Sequence, residues 1–278
     1  MRKLEKPSFE VSNIVQDCVS NMRLNPDIFV EAIPAIEEYS DRFDELMEVF
    51  EAHELKTHDM VTEKLSKEDM VSLYDNKFSK KGQPGRKYYD KIKIAPVNGT
   101  CPLCGMGQVA TLDHYMAKSL YPTLAVTPNN LIPACRDCNE IRRSVRFDAA
   151  SDLTLHPYYD DIQNIEWLVA KVVSVQPICV AYEISDSLGD SELRRRLEKH
   201  LETFKLKSRF AQKAAEELSA HRMVFQEIFN VGGADELRNY LHLCYNGLKS
   251  AEINSWRTAL YKALKNVEEI IVNGIIAF

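Results

Sequence analysis

The chain has 278 residues, 45% of them hydrophobic and 27% charged, and a formal net charge of −6. That is ordinary for a globular protein of one large domain or two small ones. There is no repeat, no low-complexity tract and no apolar run of membrane-spanning length. The start, Met1-Arg-Lys-Leu-Glu-Lys-Pro7, lacks the apolar core of a signal peptide, so a cytoplasmic chain is expected. The negative balance argues against nucleic-acid binding over the whole surface. It points to a local basic cleft or to a partner that supplies the surface.

Residues 1–12 read as polar and extended, with Ser12 as the cap of a helix reaching about Met22. From Pro26 to Leu55 the apolar spacing is helical, through Ile28, Phe29, Ala32, Ile33, Ile36, Tyr39, Phe43, Leu46 and Phe50. Pro34 is expected to kink or interrupt it. Ser66-Lys-Glu-Asp69 has the form of a capping box and opens a helix to about Tyr74. These helices are read as packing or partner-docking elements, since the acidic face from Glu37 to Glu51 repels nucleic acid.

Residues 77–93 change character. Lys77, Lys80, Lys81, Arg86, Lys87, Lys91 and Lys93 surround Gly82, Pro84 and Gly85, with Tyr88 and Tyr89 interleaved. Cations with aromatics suit phosphate contact and base stacking, and a solvated basic loop is the alternative. Lys80, Lys81, Arg86 and Lys87 are the candidate nucleic-acid contacts.

The next stretch contains the chemistry. Cys101-Pro-Leu-Cys104 and Cys135-Arg-Asp-Cys138 are two Cys-x-x-Cys turns, and together they can hold one zinc ion in a closed four-sulfur site. A disulfide or a redox pair is the competing reading, but a redox pair needs no twin. Between the turns lies Asp113-His114, preceded by Gln108-Val-Ala-Thr-Leu112, which reads as a strand. Pro122 and Pro128 mark a loop that ends at Asn130. Asn139 follows the last cysteine and is expected in the first turn, or at the cap, of a short helix Asn139–Phe147.

This order of elements resembles the HNH endonuclease superfamily, with its zinc-stapled ββα-metal fold, over about residues 95–160. The resemblance implies Asp113 as a carboxylate metal ligand, His114 as general base, Asn130 as the residue bracing the loop, and Asn139 as second metal ligand. It implies a hard divalent ion, Mg²⁺ or another, beside the structural zinc. Against the common form Asp-His-Ile-x-Pro-Lys-Ser, Tyr115 replaces the aliphatic residue and Ala117 the proline, while Lys118 and Ser119 are retained. Lys118, Arg142 and Arg143 are close enough in sequence to hold phosphates; each is equally readable as a solvated charge.

Leu155-His156-Pro-Tyr-Tyr-Asp160 is a turn that either brings His156 or Asp160 near substrate or packs its tyrosines under the helix. Residues 165–185 alternate as two strands, Trp167, Val169, Lys171 and Val173 in one and Ile178, Val180 and Tyr182 in the other. One long helix is expected from Glu192 to Phe229, ended by Gly232-Gly233, with helices near 234–248 and 251–271 after it. The apolar run Ile270–Phe278 is expected in the core, with docking of a partner as the alternative. Cys18, Cys179 and Cys244 read as buried thiols.

The expected architecture is α+β and mostly helical. A central ββα-metal module at 95–160 lies between an N-terminal helical region with a basic linker (1–94) and a hairpin with C-terminal helices (161–278). The two helical arms are expected to pack together. Length, flanking helices and the His-Pro-Tyr-Tyr-Asp turn resemble the PtuB-type nucleases of Septu and retron phage-defence systems, which implies a PtuA-type ATPase as partner and DNA or RNA, possibly tRNA, as substrate. A stand-alone restriction-type endonuclease and a non-catalytic zinc module that binds nucleic acid or protein are the rival readings.

Overall fold

The structure is a computed structural model, and it describes residues 1–142, 147–175 and 177–272. It forms two compact units, Met1–Asp160 and Asp161–Phe278. The molecule is mostly helical, with two small antiparallel sheets. No helix among the described residues is long and apolar enough to cross a membrane.

In the first unit, α1 (Val11–Val19) starts two residues earlier than expected, with Glu10 rather than Ser12 at its cap. The helical pattern after Pro26 splits into α2 (Pro26–Glu31) and α3 (Ile33–Glu48) at Ala32, because Pro34 lies in the first turn of α3 and cannot continue a preceding helix. The expected capping box is present: Ser66 accepts from the Asp69 backbone N–H and Asp69 accepts from that of Ser66. It opens α4 (Lys67–Leu73), which runs into a wider π turn, Tyr74–Phe78. The basic stretch is partly helical, not a loop: α5 covers Arg86–Ile94.

Strand β1 (Thr111–His114) pairs antiparallel with β2 (Leu131–Ala134), with Asp113 opposite Ile132 and His114 opposite Leu131. β1 begins nearer to His114 than the β-branched run implied. Helix α6 (Arg136–Arg142) follows β2 directly. It starts three residues before Asn139, whose N–H bonds the Cys135 carbonyl at 3.1 Å and so closes the first turn. The expected continuation of this helix through Arg143–Arg146 lies outside the described residues. The N-terminal helices and the hairpin share one core: Ile14, Ile36, Leu73 and Phe78 cluster with Leu112 and Leu131, all essentially removed from water. Residues 1–94 therefore enclose the strand pair rather than standing apart from it.

In the second unit, β3 (Leu168–Val175) and β4 (Ile178–Ile184) form the hairpin expected from alternation. The inward face of β3 is Leu168 and Ala170, while Lys171 and Val173 point to water, so the stripe read from Val169 to Val173 is the outer one. Asn254 accepts from the Trp167 and Leu168 backbone N–H groups at 2.9 and 3.2 Å and ties the hairpin to the segment before α9. Helix α7 (Glu192–Thr203), capped by Ser191, ends where Lys205 takes a left-handed conformation, so the long helix is interrupted there. Helix α8 (Leu206–Ala251) bends at Gly233, whose φ of 66° an L side chain resists. Phe225 and Tyr240 meet across the bend at 6.1 Å between ring centroids. Helices α9 (Trp256–Leu264) and α10 (Glu268–Val272) complete the unit, with Ile270 and Ile271 buried; residues 273–278 lie outside the description. Of the three scattered cysteines only Cys18 is buried; Cys179 is exposed and Cys244 half-buried.

Candidate metal centre and the Asp-His site

The four cysteines converge. The Sγ atoms of Cys101, Cys104, Cys135 and Cys138 lie within 4.8 Å of one another, and all four residues are buried. Cys104 and Cys135 are 3.9 Å apart, far beyond a disulfide bond of about 2.05 Å. A tetrahedron with zinc–sulfur bonds of about 2.3 Å has an edge of about 3.8 Å, so this separation fits zinc. The first turn is shaped for it. The Gly105 N–H closes on the Cys101 carbonyl at 2.9 Å, Gly105 has φ +68°, and the Gly107 N–H points at Cys104 Sγ at 3.4 Å. A Cβ on Gly107 would lie 2.7 Å from Cys135 Cβ, so only glycine fits against the second turn. Hydrogen bonds shared within the cluster hold the Cys104 thiol far below its ordinary range and push those of Cys101 and Cys138 up. Zinc would take all four as thiolates.

Between the two turns, β1 presents Asp113 and His114. Asp113 is buried, and its carboxylate faces the Arg142 guanidinium at 3.5 Å. Burial raises the Asp113 carboxyl to about 6; Arg142 pulls it down but does not prevail. His114 is half-buried, and its Nε2 lies 2.9 Å from the Ala125 carbonyl oxygen. A carbonyl only accepts, so Nε2 carries the proton. Loss of hydration pushes the imidazole down to about 4, against the Ala125 bond that favours the charged form. The ring is therefore neutral near pH 7, with the lone pair on Nδ1. The Tyr74 ring meets it edge-on at 4.4 Å.

Asn130 is fully buried and clamps the loop between the strands. Its Oδ1 accepts from the Met116 N–H at 2.6 Å, and its Nδ2 donates to the carbonyls of Met116 and Leu124 at 3.0 and 3.1 Å. This one amide therefore joins both ends of the loop that holds Ala125 opposite His114. Asn139 lies on α6, which packs against β1.

The cationic candidates fall into two groups. Arg142 does not face outward: it is buried, donates to the Tyr115 carbonyl at 2.5 Å and lies over the Tyr115 ring at 4.3 Å. Its place is under the site, and a phosphate-holding role is corrected on that ground. His156 is likewise fully buried, among Tyr115, Tyr158 and Tyr159, and its backbone N–H bonds Asp160 at 2.8 Å. The turn therefore packs its rings inward and gives His156 no path to substrate. Arg143 lies outside the described residues. Lys118 pairs with Asp75 over the Tyr74 ring. Lys80, Lys81 and Lys87 are exposed, Lys87 pairing with Asp17 at 2.6 Å, while Arg86 bonds the Ser79 carbonyl and Asp90. Of the interleaved tyrosines, Tyr89 is buried, while Tyr88 is half-buried and donates to Asp17 at 2.6 Å.

The sequence reading missed Tyr74, Asp75 and the Ala125 carbonyl. None has a local motif; each reaches His114 or Lys118 through the fold. The departure at Tyr115 gained a meaning, since that ring and carbonyl seat Arg142.

No family model matches the chain, and no solved structure matches it. The sequence is similar to Protein ea31 of Escherichia phage lambda, 26% identical over 293 residues that cover 97% of this chain and 98% of that protein.

Proposed function

We propose that the chain is a metal-dependent phosphodiesterase of the HNH type, acting on DNA or RNA. The observation behind this reading is the imidazole of His114. Its Nε2–H is committed to the Ala125 carbonyl, and the ring is neutral well below pH 7, so Nδ1 is a base ready to take a proton from water. Asp113 and Asn139 offer only oxygen donors among the non-cysteine candidates, a set that suits a hard divalent ion. Such an ion, Mg²⁺ for example, would be held by those two residues and would supply charge neutralisation at the scissile phosphate. The zinc cluster fixes the strand that carries Asp113 and His114 relative to the helix that carries Asn139. Lys118 is the cation in sequence and contact nearest to His114, and Lys80, Lys81 and Lys87 extend a basic surface for the backbone.

The test is cleavage by the zinc-loaded chain. Duplex DNA, single-stranded DNA and RNA, tRNA included, are offered with Mg²⁺ or Mn²⁺. His114→Ala is expected to lose about 10²–10⁴ in kcat with substrate binding retained. Unchanged cleavage by His114→Ala removes the imidazole from the chemistry; no cleavage by either leaves a zinc module that only binds.

The narrower reading is an effector in a phage-defence complex with an ATPase of the PtuA type. It is favoured by the net charge of −6, which leaves part of the nucleic-acid surface to a partner. Co-purification with an ATPase encoded beside this chain supports it, and full activity of the isolated chain on cellular nucleic acid overturns it.

A further inference from the structure

We propose that Tyr74, carried by the N-terminal helices, is a positioning residue for His114. This rests on the nuclease reading and assigns a part of the site to a segment far outside the two cysteine turns.

The argument starts from the backbone. After α4 the chain widens by one residue: the Ser79 N–H reaches back to the Tyr74 carbonyl at 2.8 Å, five residues away. Such π turns interrupt regular helices and gather at functional sites. This one is wedged in place. A Cβ on Gly85 would come within 2.9 Å of the Lys77 carbonyl oxygen and 3.1 Å of Phe78 Cα, so the backbones touch. The Arg86 guanidinium bonds the Ser79 carbonyl at the end of the turn.

The turn aims two neighbouring side chains at the site. The Tyr74 ring stacks on Phe78 at 5.4 Å and meets the His114 imidazole edge-on at 4.4 Å. Asp75, the next residue, pairs with Lys118, and the Lys118 ammonium lies 4.6 Å from the centre of the Tyr74 ring. The ring therefore has neighbours that leave it no room to swing. Among the described residues the imidazole has one hydrogen bond, to Ala125, and could pivot about it. The Tyr74 ring, packed at 65° against the imidazole, removes that freedom and keeps Nδ1 directed away from the loop. The hydroxyl is not needed for this; the ring is.

The experiment uses the full zinc-loaded chain and two kinds of variant. Tyr74→Phe keeps the ring, and Tyr74→Leu fills the space without an aromatic edge; Tyr74→Met replaces the leucine variant if that one loses zinc. Two readouts are taken: steady-state cleavage with Mg²⁺, and the imidazole nitrogen resonances of His114 without Mg²⁺. For the leucine variant kcat is expected to fall at least about tenfold with KM nearly unchanged, and the phenylalanine variant is expected to restore it. The Nε2–H form of His114 is expected to dominate in the wild type and the phenylalanine variant, and to give way to a mixture of both tautomers in the leucine variant. A leucine variant that retains kcat within twofold, or keeps a single Nε2–H tautomer, overturns the proposal. A wild type that cuts no nucleic acid ends the nuclease reading, and the imidazole spectra then decide the role of Tyr74 alone.

Discussion

Arg142 lies against Asp113, its guanidinium 3.5 Å from the carboxylate and its other nitrogen on the Tyr115 carbonyl, with almost no exposure of either side chain. A buried cation placed this way neutralises a buried acid and satisfies a carbonyl that water does not reach. Removing it takes the cation from Asp113 and a donor from the Tyr115 carbonyl. Arg142→Leu is expected to lower stability by about 3–5 kcal/mol in urea denaturation. Lysine is not expected to restore it, because one ammonium cannot serve both partners in the same plane. A leucine variant of normal stability whose only defect is a raised KM would return Arg142 to the phosphate.

The zinc cluster gives a sharper prediction than ligand removal alone. Cys135→Ser removes a ligand and is expected to release zinc and unfold the first unit. Gly107→Ala removes no ligand, yet its methyl would stand 2.7 Å from Cys135 Cβ and 2.8 Å from its sulfur. It is expected to weaken zinc retention against a chelator at least about tenfold, since ligand geometry and close support set affinity. Elemental analysis after chelator challenge checks both. Equal retention by Gly107→Ala and the wild type would mean the two turns are set differently.

The state of His114 can be followed by pH. Its folded value, about 4, lies below the ordinary 6.5, because burial disfavours the charged ring and outweighs the Ala125 bond; Lys118 and Arg142 push the same way and Asp75 the opposite way. A base held low contributes stability that is complete above 6.5 and is lost as pH falls from there towards 4. In the zinc-loaded protein without other metal, the ring resonances are expected to show a largely neutral imidazole at pH 6 and at pH 5. A protonation midpoint of 6 or more would contradict the packing described for this ring.

The basic segment is predicted to act through charge alone. With Tyr89 buried and the Tyr88 hydroxyl on Asp17, the proposed phosphate contacts rest on the charges of Lys80, Lys81 and Lys87. Reversing all three to Glu is expected to weaken binding at low salt and reduce the slope of log K against log salt by about 2–3. Arg86 is left intact in this test because its bonds to Ser79 and Asp90 are part of the fold. An unaltered slope would make the segment an ordinary solvated face.

The zinc cluster, the strand carrying Asp113-His114 and the β3–β4 hairpin were legible in the sequence, because each is written in local spacing: cysteines at paired intervals and alternating apolar residues. The capped start of α4 was legible for the same reason. The burial of Arg142, His156 and Tyr89, and the tie of Tyr88 to Asp17, were not. A cation or an aromatic reads the same in a string of letters whether it meets water or a buried acid. Which of these it meets depends on residues dozens of positions away: Tyr88 finds Asp17, Tyr159 finds Asp44, and Tyr74 finds His114. The two breaks in the C-terminal helices, at Lys205 and Gly233, divide along the same line. Glycine announces a left-handed bend, and lysine gives no such notice.

The ligand pairs at 101–104 and 135–138 also set an order of events during synthesis. A ribosome delivers the first pair about thirty residues before the second, so a growing or prematurely ended chain holds half a binding site and an untethered Asp-His strand. The four sulfurs can meet only once Cys138 has emerged. A chain truncated at Ala134 would accordingly carry two of the four ligands and is expected to retain no zinc, which elemental analysis checks.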